Sequence, residues 1–227
     1  MVSAVVLAGG SGSRMNSKVA KQFIEIAGKP LIYYALKCFE DSVVDEVIFV
    51  TREEDIEYCK SEIINKYGFK KVKKIVAGGK NRYDSVYNGI VATDDNCDIV
   101  MIHDGARPFI TDRMIKDSIA EAREYSAVTV AVPVKDTIKI VDENGFSVST
   151  PDRRTLYQIQ TPQTFKKEML VQAYNIMYES GDTDITDDTM IIERYINKKV
   201  KIIEGSYTNI KVTTSEDIDV AEAITTR

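Results

Sequence analysis

Only three cysteines and a single histidine occur in the 227 residues. Cys38, Cys59 and Cys97 are odd in number, far apart and without ligand spacing, so they imply neither a disulfide framework nor a zinc site and read as reduced packing thiols. No apolar run approaches the roughly 18 residues that a membrane span needs, and the first residues lack the basic start, apolar core and cleavage site of a secretory leader. A cytoplasmic location with no membrane partner is therefore expected. Positive charge is in short supply as well, with 30 Lys and Arg against 35 Asp and Glu for a net charge of −5. General nucleic-acid binding draws on a basic surface and is not expected. Any anion site must be local.

What is present is a regular alternation. Apolar β-rich runs at residues 4–8, 45–51, 72–77, 98–103 and 127–132 alternate with helical patterns at 31–40, 53–67, 82–92 and 112–125. That order predicts an α/β fold, Rossmann-like, with a mainly parallel sheet and helices on both faces, in a single domain over residues 1–227. One segment departs from it. Residues 134–140 and 146–150 flank Asp142-Glu143-Asn144-Gly145, a hairpin signal between strands too polar for a sheet centre. A β-arm over residues 134–157 is expected to project from the sheet and to pack against its copy in a homodimer. Further on, the pattern predicts an extended piece at 157–161, a helix at 167–178, a polar tract at 181–188, a helix to about 195, a strand at 200–204, a short extended piece at 209–212 and a last helix opened by Thr214 or Ser215.

In an open α/β sheet, ligands sit beyond the carboxyl ends of the strands, so the strand exits are where chemistry is sought. The first exit, AVVLAGGSGSR, places Ala8, Gly9, Gly10 and Gly12 around one serine and ends in Arg14. Small residues there let successive backbone N–H groups face a phosphate chain. It is not a Walker loop, since no Gly-Lys-Ser/Thr follows, and Met15 occupies the place of the third small residue of a dinucleotide fingerprint. Lys21, in Lys21-Gln22-Phe23, adds a second cation suited to charge gathering on a phosphorus under attack. The third exit is Ala77-Gly78-Gly79-Lys80-Asn81-Arg82, which can admit a flat base or serve as an ordinary turn. The fourth, His103-Asp104-Gly105-Ala106-Arg107-Pro108, sets an acid at the end of a buried strand. Asp104 there suits a magnesium ion that bridges phosphates, or a structural acid that caps a helix or pairs with Arg107. His103 is read as a hydrogen-bonded structural group, because a phosphate nucleophile is already ionised and needs no base.

Taken in order, LAGGSGSRM, KQF, HDGARPF, VKDTIK, QTPQTF, ITDD and NIKVTT resemble the 2-C-methyl-D-erythritol 4-phosphate cytidylyltransferases of the non-mevalonate isoprenoid pathway. The resemblance implies the nucleotide-diphospho-sugar transferase type of sheet and a magnesium-dependent reaction of CTP with methylerythritol phosphate that releases pyrophosphate. It implies that Arg14, Lys21, Arg153 and Lys211 are catalytic and that Ala8, Gly9, Gly10, Gly12, Gly79, Ser85, Asp104, Ala106 and Arg107 line the CTP site, with Asp104 near the metal. Thr137, Arg153, Thr161, Thr186 and Lys211 would hold the second substrate, Thr137 and Arg153 reaching over from a partner subunit's arm. Two departures from the family pattern stand out: Lys80 occupies the place of an acid after Gly78-Gly79, and Lys18 lies close enough to Lys21 to substitute for it. Ribitol-5-phosphate cytidylyltransferases share several of the same pieces and form the rival reading. A non-catalytic nucleotide-binding module is a further one.

Overall fold

The run Val2–Leu7 is apolar apart from Ser3 and buried over nearly its whole length, as a strand must be when it has neighbours on both edges and helices on both faces. In the computed structural model, which describes residues 1–10 and 21–226 with the Lys21 side chain excepted, this run is β1. The later strands in chain order are the hairpin pair β2 (Glu25–Ile26) and β3 (Lys29–Pro30), β4 (Glu46–Thr51), β5 (Val72–Ala77), β6 (Ile99–Asp104), β7 (Ala127–Pro133), β8 (Ile140–Val141), β9 (Ser147–Ser149), β10 (Tyr157–Lys166) and β11 (Lys201–Glu204). The helices are α1 (Leu31–Asp41), α2 (Ile56–Tyr58), α3 (Arg82–Ala92), α4 (Asp112–Tyr125), α5 (Lys167–Ser180), α6 (Asp188–Ile191) and α7 (Ser215–Thr225).

Seven strands form one sheet in the order β11-β7-β10-β6-β1-β4-β5. β1 runs parallel to both β4 and β6, with Val5 opposite Ile48 on one side and Ile102 on the other. β5 continues the parallel series beyond β4, and β11 lies parallel to β7. β10 alone is antiparallel, to β6 and β7 alike, so the other six strands end on a single rim. The period of two sorts β1 between the layers. Ala4 and Val6 face a core built with Leu36 and Phe39 of α1 and Met114 and Ile115 of α4, while Val5 faces Val86 and Ile90 of α3 and Leu170 and Tyr174 of α5.

Four elements differ from the sequence expectation, one of them the helix expected to about 195, which is α6 followed by π-helix over Ile192–Ile196. The predicted helix at 53–67 is a 3-10 turn (Glu53–Asp55), a turn of α2, then π-helix over Cys59–Asn65. Spacings of three and four bury Cys59, Ile63 and Ile64 in either winding, so periodicity does not separate them. The extended piece at 157–161 continues to Lys166 as β10, with a register shift between Ile159 and Gln163 that accommodates Pro162. The arm pairs only Ile140 with Ser149 and Val141 with Ser147, a shorter ribbon than its flanks suggest. Its turn is closed by Asp142, whose Oδ1 accepts from the N–H groups of Asn144 and Phe146, and by Gly145 at φ 83°.

Phe165 is fully buried on β10, and Phe165→Ala should lower the unfolding free energy by about 3–5 kcal/mol. Val91→Ala, on the exposed side of α3, should change it by less than about 0.5 kcal/mol. Urea denaturation of the two variants checks the assignment of core and surface.

Candidate active site

Three strand exits and one C-terminal segment converge on the rim. At the first, the Ala8 N–H donates to the Val50 carbonyl at 2.6 Å, and the Ala8 carbonyl accepts from the buried Gln22 amide. Phe23, also buried, packs on Tyr58 with ring centroids 5.0 Å apart. Gln22 therefore binds the 3-10 turn Lys21–Phe23 to the glycine exit, and Phe23 packs it on α2.

At the end of β6 a hydrogen-bonded chain fixes the backbone. The Asp104 N–H donates to Thr161 Oγ1 at 3.1 Å, Thr161 Oγ1 lies 3.0 Å from His103 Nδ1, and His103 Nε2 lies 3.0 Å from the Arg107 carbonyl. A carbonyl only accepts, so Nε2 carries the ring hydrogen and Nδ1 accepts from the threonine hydroxyl. Complete burial of the ring pushes its pKa down to about 4, outweighing the hydrogen bond to Arg107 that favours the charged form. His103 thus has the structural role its sequence context suggests. Gly105 follows with its N–H 2.8 Å from the Leu7 carbonyl, and a Cβ there would stand at the same distance from that oxygen. The close approach of two strand exits requires glycine.

The third exit is held by its own helix. The Gly79 N–H donates to Ser85 Oγ at 3.0 Å, Asn81 and Asp84 form a capping box at the start of α3, and the Tyr178 hydroxyl donates to Asp84 Oδ1 at 3.0 Å. Residues 209–212 cross the rim. Asn209 donates to the Thr161 carbonyl, Arg107 Nη1 donates to the Asn209 carbonyl at 2.8 Å, and the Val212 N–H reaches the Ala106 carbonyl at 2.9 Å. Lys211 is thereby carried to within 2.6 Å of Asp104 Oδ2.

Two clefts result. One, of about 410 Å³, is lined by Gly9 and Gly10 of the first exit, Gly79, Lys80 and Ser85 of the third, and Ala106. The other, of about 310 Å³, is lined by Arg107, Thr161, Gln163, Thr186 and Asp187. Arg82, Asp104 and Lys211 line both and form the wall between them. Burial of Asp104 by itself raises its pKa, but Arg82, with Nε 3.3 Å from Oδ1, and Lys211 outweigh that and hold the carboxyl well below the usual range.

This arrangement brings together most of the residues expected at the site. Arg107 falls in the second cleft rather than with the CTP-site residues, and the partners of Asp104 are Arg82 and Lys211 instead of Arg107. The Thr161 hydroxyl is engaged by His103 and the Asp104 backbone. Ala8 is buried against β4, behind the cleft surface. Thr137 and Arg153 are exposed on the arm and line neither cleft, with Arg153 Nη1 on the Lys135 carbonyl at 2.7 Å. Gly12, Arg14 and Lys18 lie outside the described residues. Arg82 is the member that sequence reasoning missed, and its one signal is its place as the first residue of a helix behind a glycine turn.

Asp104 is the one acid among the described residues that line the first cleft, and no cluster of three or more His, Cys, Asp or Glu side chains is found among them. A single carboxylate fits magnesium, which takes one or two protein oxygens and leaves the rest of its shell to phosphates and water.

A mainly parallel sheet with a glycine-rich first exit, an acidic exit beside it and fixed cations between two clefts defines the α/β nucleotidyltransferase class. The model of the family "IspD: 2-C-methyl-D-erythritol 4-phosphate cytidylyltransferase" matches residues 2–227, and the chain belongs to that family. It is 49% identical to the 2-C-methyl-D-erythritol 4-phosphate cytidylyltransferase of Caldanaerobacter subterraneus subsp. tengcongensis over 97% of each chain. The enzyme of the same name from Clostridium perfringens strain 13 is 49% identical, again over 97% of each. Among solved structures, the 4-diphosphocytidyl-2C-methyl-D-erythritol synthase of Anaerococcus prevotii superposes with a TM-score of 0.87 at 35% identity, covering 100% of this chain and 96% of that one.

The histidine gives a pH test. Its folded pKa of about 4 lies below the unfolded value of 6.5, so below pH 6.5 the unfolded chain binds the extra proton and stability falls as pH is lowered. The loss should begin near pH 6.5 and reach about 3 kcal/mol once pH is below 4, on the order of 1.4 kcal/mol per unit. As the chain has one histidine, the untagged folded protein should show a single set of imidazole C–H NMR signals that does not titrate between pH 8 and 5.

Proposed function

We propose that the protein transfers the CMP unit of CTP to 2-C-methyl-D-erythritol 4-phosphate and releases pyrophosphate, working as a cytoplasmic homodimer with a divalent ion such as magnesium. The observation that carries the reading is the shared wall of Arg82, Asp104 and Lys211 between a glycine-rimmed cleft suited to a nucleotide and a second cleft suited to the acceptor. Gly9, Gly10, Gly79, Ser85 and Ala106 line the nucleotide side, with Ala8 behind them, while Thr161, Thr186 and Arg107 belong to the acceptor side.

In the reaction an oxygen of the acceptor phosphate attacks the α-phosphorus of CTP. That P–O bond forms as the bond to the β-phosphate oxygen breaks, and the electron pair leaves with pyrophosphate. Both reactants are anionic, so the chain's task is to neutralise and align them. Lys211 holds the acceptor phosphate, and Arg14 and Lys21 act on the charge gathering at the α-phosphorus, the latter on a turn fastened to the glycine exit through Gln22. Asp104 would hold the divalent ion, which would supply further neutralisation of the triphosphate. Thr137 and Arg153 serve the acceptor cleft of the other subunit. Support for that exchange comes from the arm (residues 134–157), where Phe146 is 73% and Val148 65% exposed, an apolar face suited to burial by a second copy.

Pyrophosphate release with CTP and methylerythritol phosphate, but not with ribitol phosphate, is the expected result of an activity assay; release with ribitol phosphate alone would overturn the assignment of the acceptor. Arg14→Ala should cut kcat by at least about 100-fold with little change in CTP affinity, because its contact strengthens in the transition state. Arg153→Ala should raise KM for the acceptor about tenfold or more and leave KM for CTP unchanged. Sedimentation velocity at micromolar concentration should give a dimer, and a monomer there would remove the arm from the acceptor site.

A further inference from the structure

The three side chains of the shared wall are not equally anchored. Lys211 sits on an irregular segment with its side chain 40% exposed. Arg82 is tied at its far side to Asp188, which is fully buried: Nη2 donates to Asp188 Oδ2 at 2.9 Å while Nε faces Asp104. Asp188 in turn accepts from the buried Tyr174 hydroxyl at 2.7 Å through its other oxygen. Its N–H donates to Gln163 Oε1 at 3.0 Å, and Gln163 belongs to the second cleft. Tyr174, Asp188, Arg82 and Asp104 thus form a continuous chain from the interior of the α5 layer to the boundary of the two clefts. Neither Tyr174 nor Asp188 lines a cleft.

Stability is a weak explanation for such a chain, since buried ion pairs are often replaced by packed apolar groups without loss. Its geometry suits a different task. We propose that Arg82 is a positioning residue for the transfer: anchored by Asp188, its guanidinium holds the Asp104 carboxylate at the boundary of the clefts while Lys211 remains able to change partners.

The proposal rests on the reading that an acceptor phosphate enters the second cleft. Lys211 then exchanges Asp104 for the phosphate, and Asp104 loses one of its two cations beside incoming negative charge. Arg82 does not follow the phosphate, because a move toward it would leave Asp188 buried without its partner. The planar fork is what allows one side chain to hold two carboxylates at once. A lysine ammonium is a single point of charge on a flexible stem and does not reproduce that grip.

Three variants test this: Asp188→Asn, Arg82→Lys, and the double variant Arg82→Gln with Asp188→Asn, which removes both charges of that pair together so that neither is left without its partner. Each is measured for kcat and KM with CTP and methylerythritol phosphate, for CTP affinity by calorimetry, and for melting temperature. A positioning role predicts kcat lowered about 30- to 100-fold in all three, as expected for a misplacement near the reacting groups. CTP affinity and both KM values should stay within about threefold, and the double variant should still melt cooperatively. Full activity in Arg82→Lys, or in the double variant, would overturn the proposal. So would a loss matched by weaker CTP binding or by a smaller folded fraction. Wild-type protein that releases no pyrophosphate with either acceptor would instead defeat the reading of the reaction, a result distinct from active wild type with unimpaired variants.

Discussion

The site depends on keeping one carboxylate charged where water hardly reaches it. Asp104 is 8% exposed at the end of a central strand, a place where an isolated carboxylate would take up a proton. Two cations prevent this, and they come from far apart in the chain: Arg82 from the start of α3 and Lys211 from the segment after β11. Bringing them together requires the rim. Six strands ending on one side put the third and fourth exits on one rim with β1 and β4 between them, Arg82 reaches across to Asp104, and the hydrogen bonds of Asn209, Arg107 and Val212 carry the C-terminal segment over. Folding of the sheet and charge balance of the site are therefore one event.

Much of the scaffold was legible because a parallel sheet writes itself in continuous apolar runs, and β1, β4, β6 and β7 each announce themselves in that way. β10 does not. Its buried half contains Gln160, Thr161, Gln163 and Thr164, polar residues interrupted by a proline, so its continuation beyond Thr161 has no apolar signal. Three of those side chains are hydrogen-bonded: Gln160 donates to the Ser206 carbonyl, Thr161 accepts from the Asp104 N–H, and Gln163 bonds both Asp187 and the Asp188 N–H. The glycine exits were visible for their conformational freedom, and Asp104 for its place at the end of a strand. Lys211 was reached through family resemblance, since its neighbour in sequence gives no hint of the carboxylate it faces. Arg82 was missed for a related reason. Its partner Asp188 lies 106 positions away, and no local pattern encodes a contact of that range.

The histidine shows how a residue type associated with catalysis can be removed from chemistry by its surroundings. Thr161 and the Arg107 carbonyl occupy both ring nitrogens of His103, and full burial favours the neutral form. The ring then acts as a spacer that sets the direction of β6 as it leaves the sheet. With a phosphate as nucleophile there is no proton to remove, so the fold loses nothing by spending its one histidine on structure.

The pairing of Lys211 with Asp104 also bears on acceptor choice. Separating a half-buried ion pair costs free energy, and the cost is offset only when each partner finds a replacement of opposite charge. On the proposed function, an acceptor phosphate would replace Asp104 as the partner of Lys211, and the divalent ion would replace Lys211 beside Asp104. On that reading a neutral alcohol supplies no new partner for Lys211, so the pair with Asp104 stays closed. On the proposed function the salt bridge would favour phosphorylated acceptors before any contact with the carbon skeleton is made. Arg82 makes this selection compatible with catalysis, because the carboxylate released by Lys211 remains held from the other side.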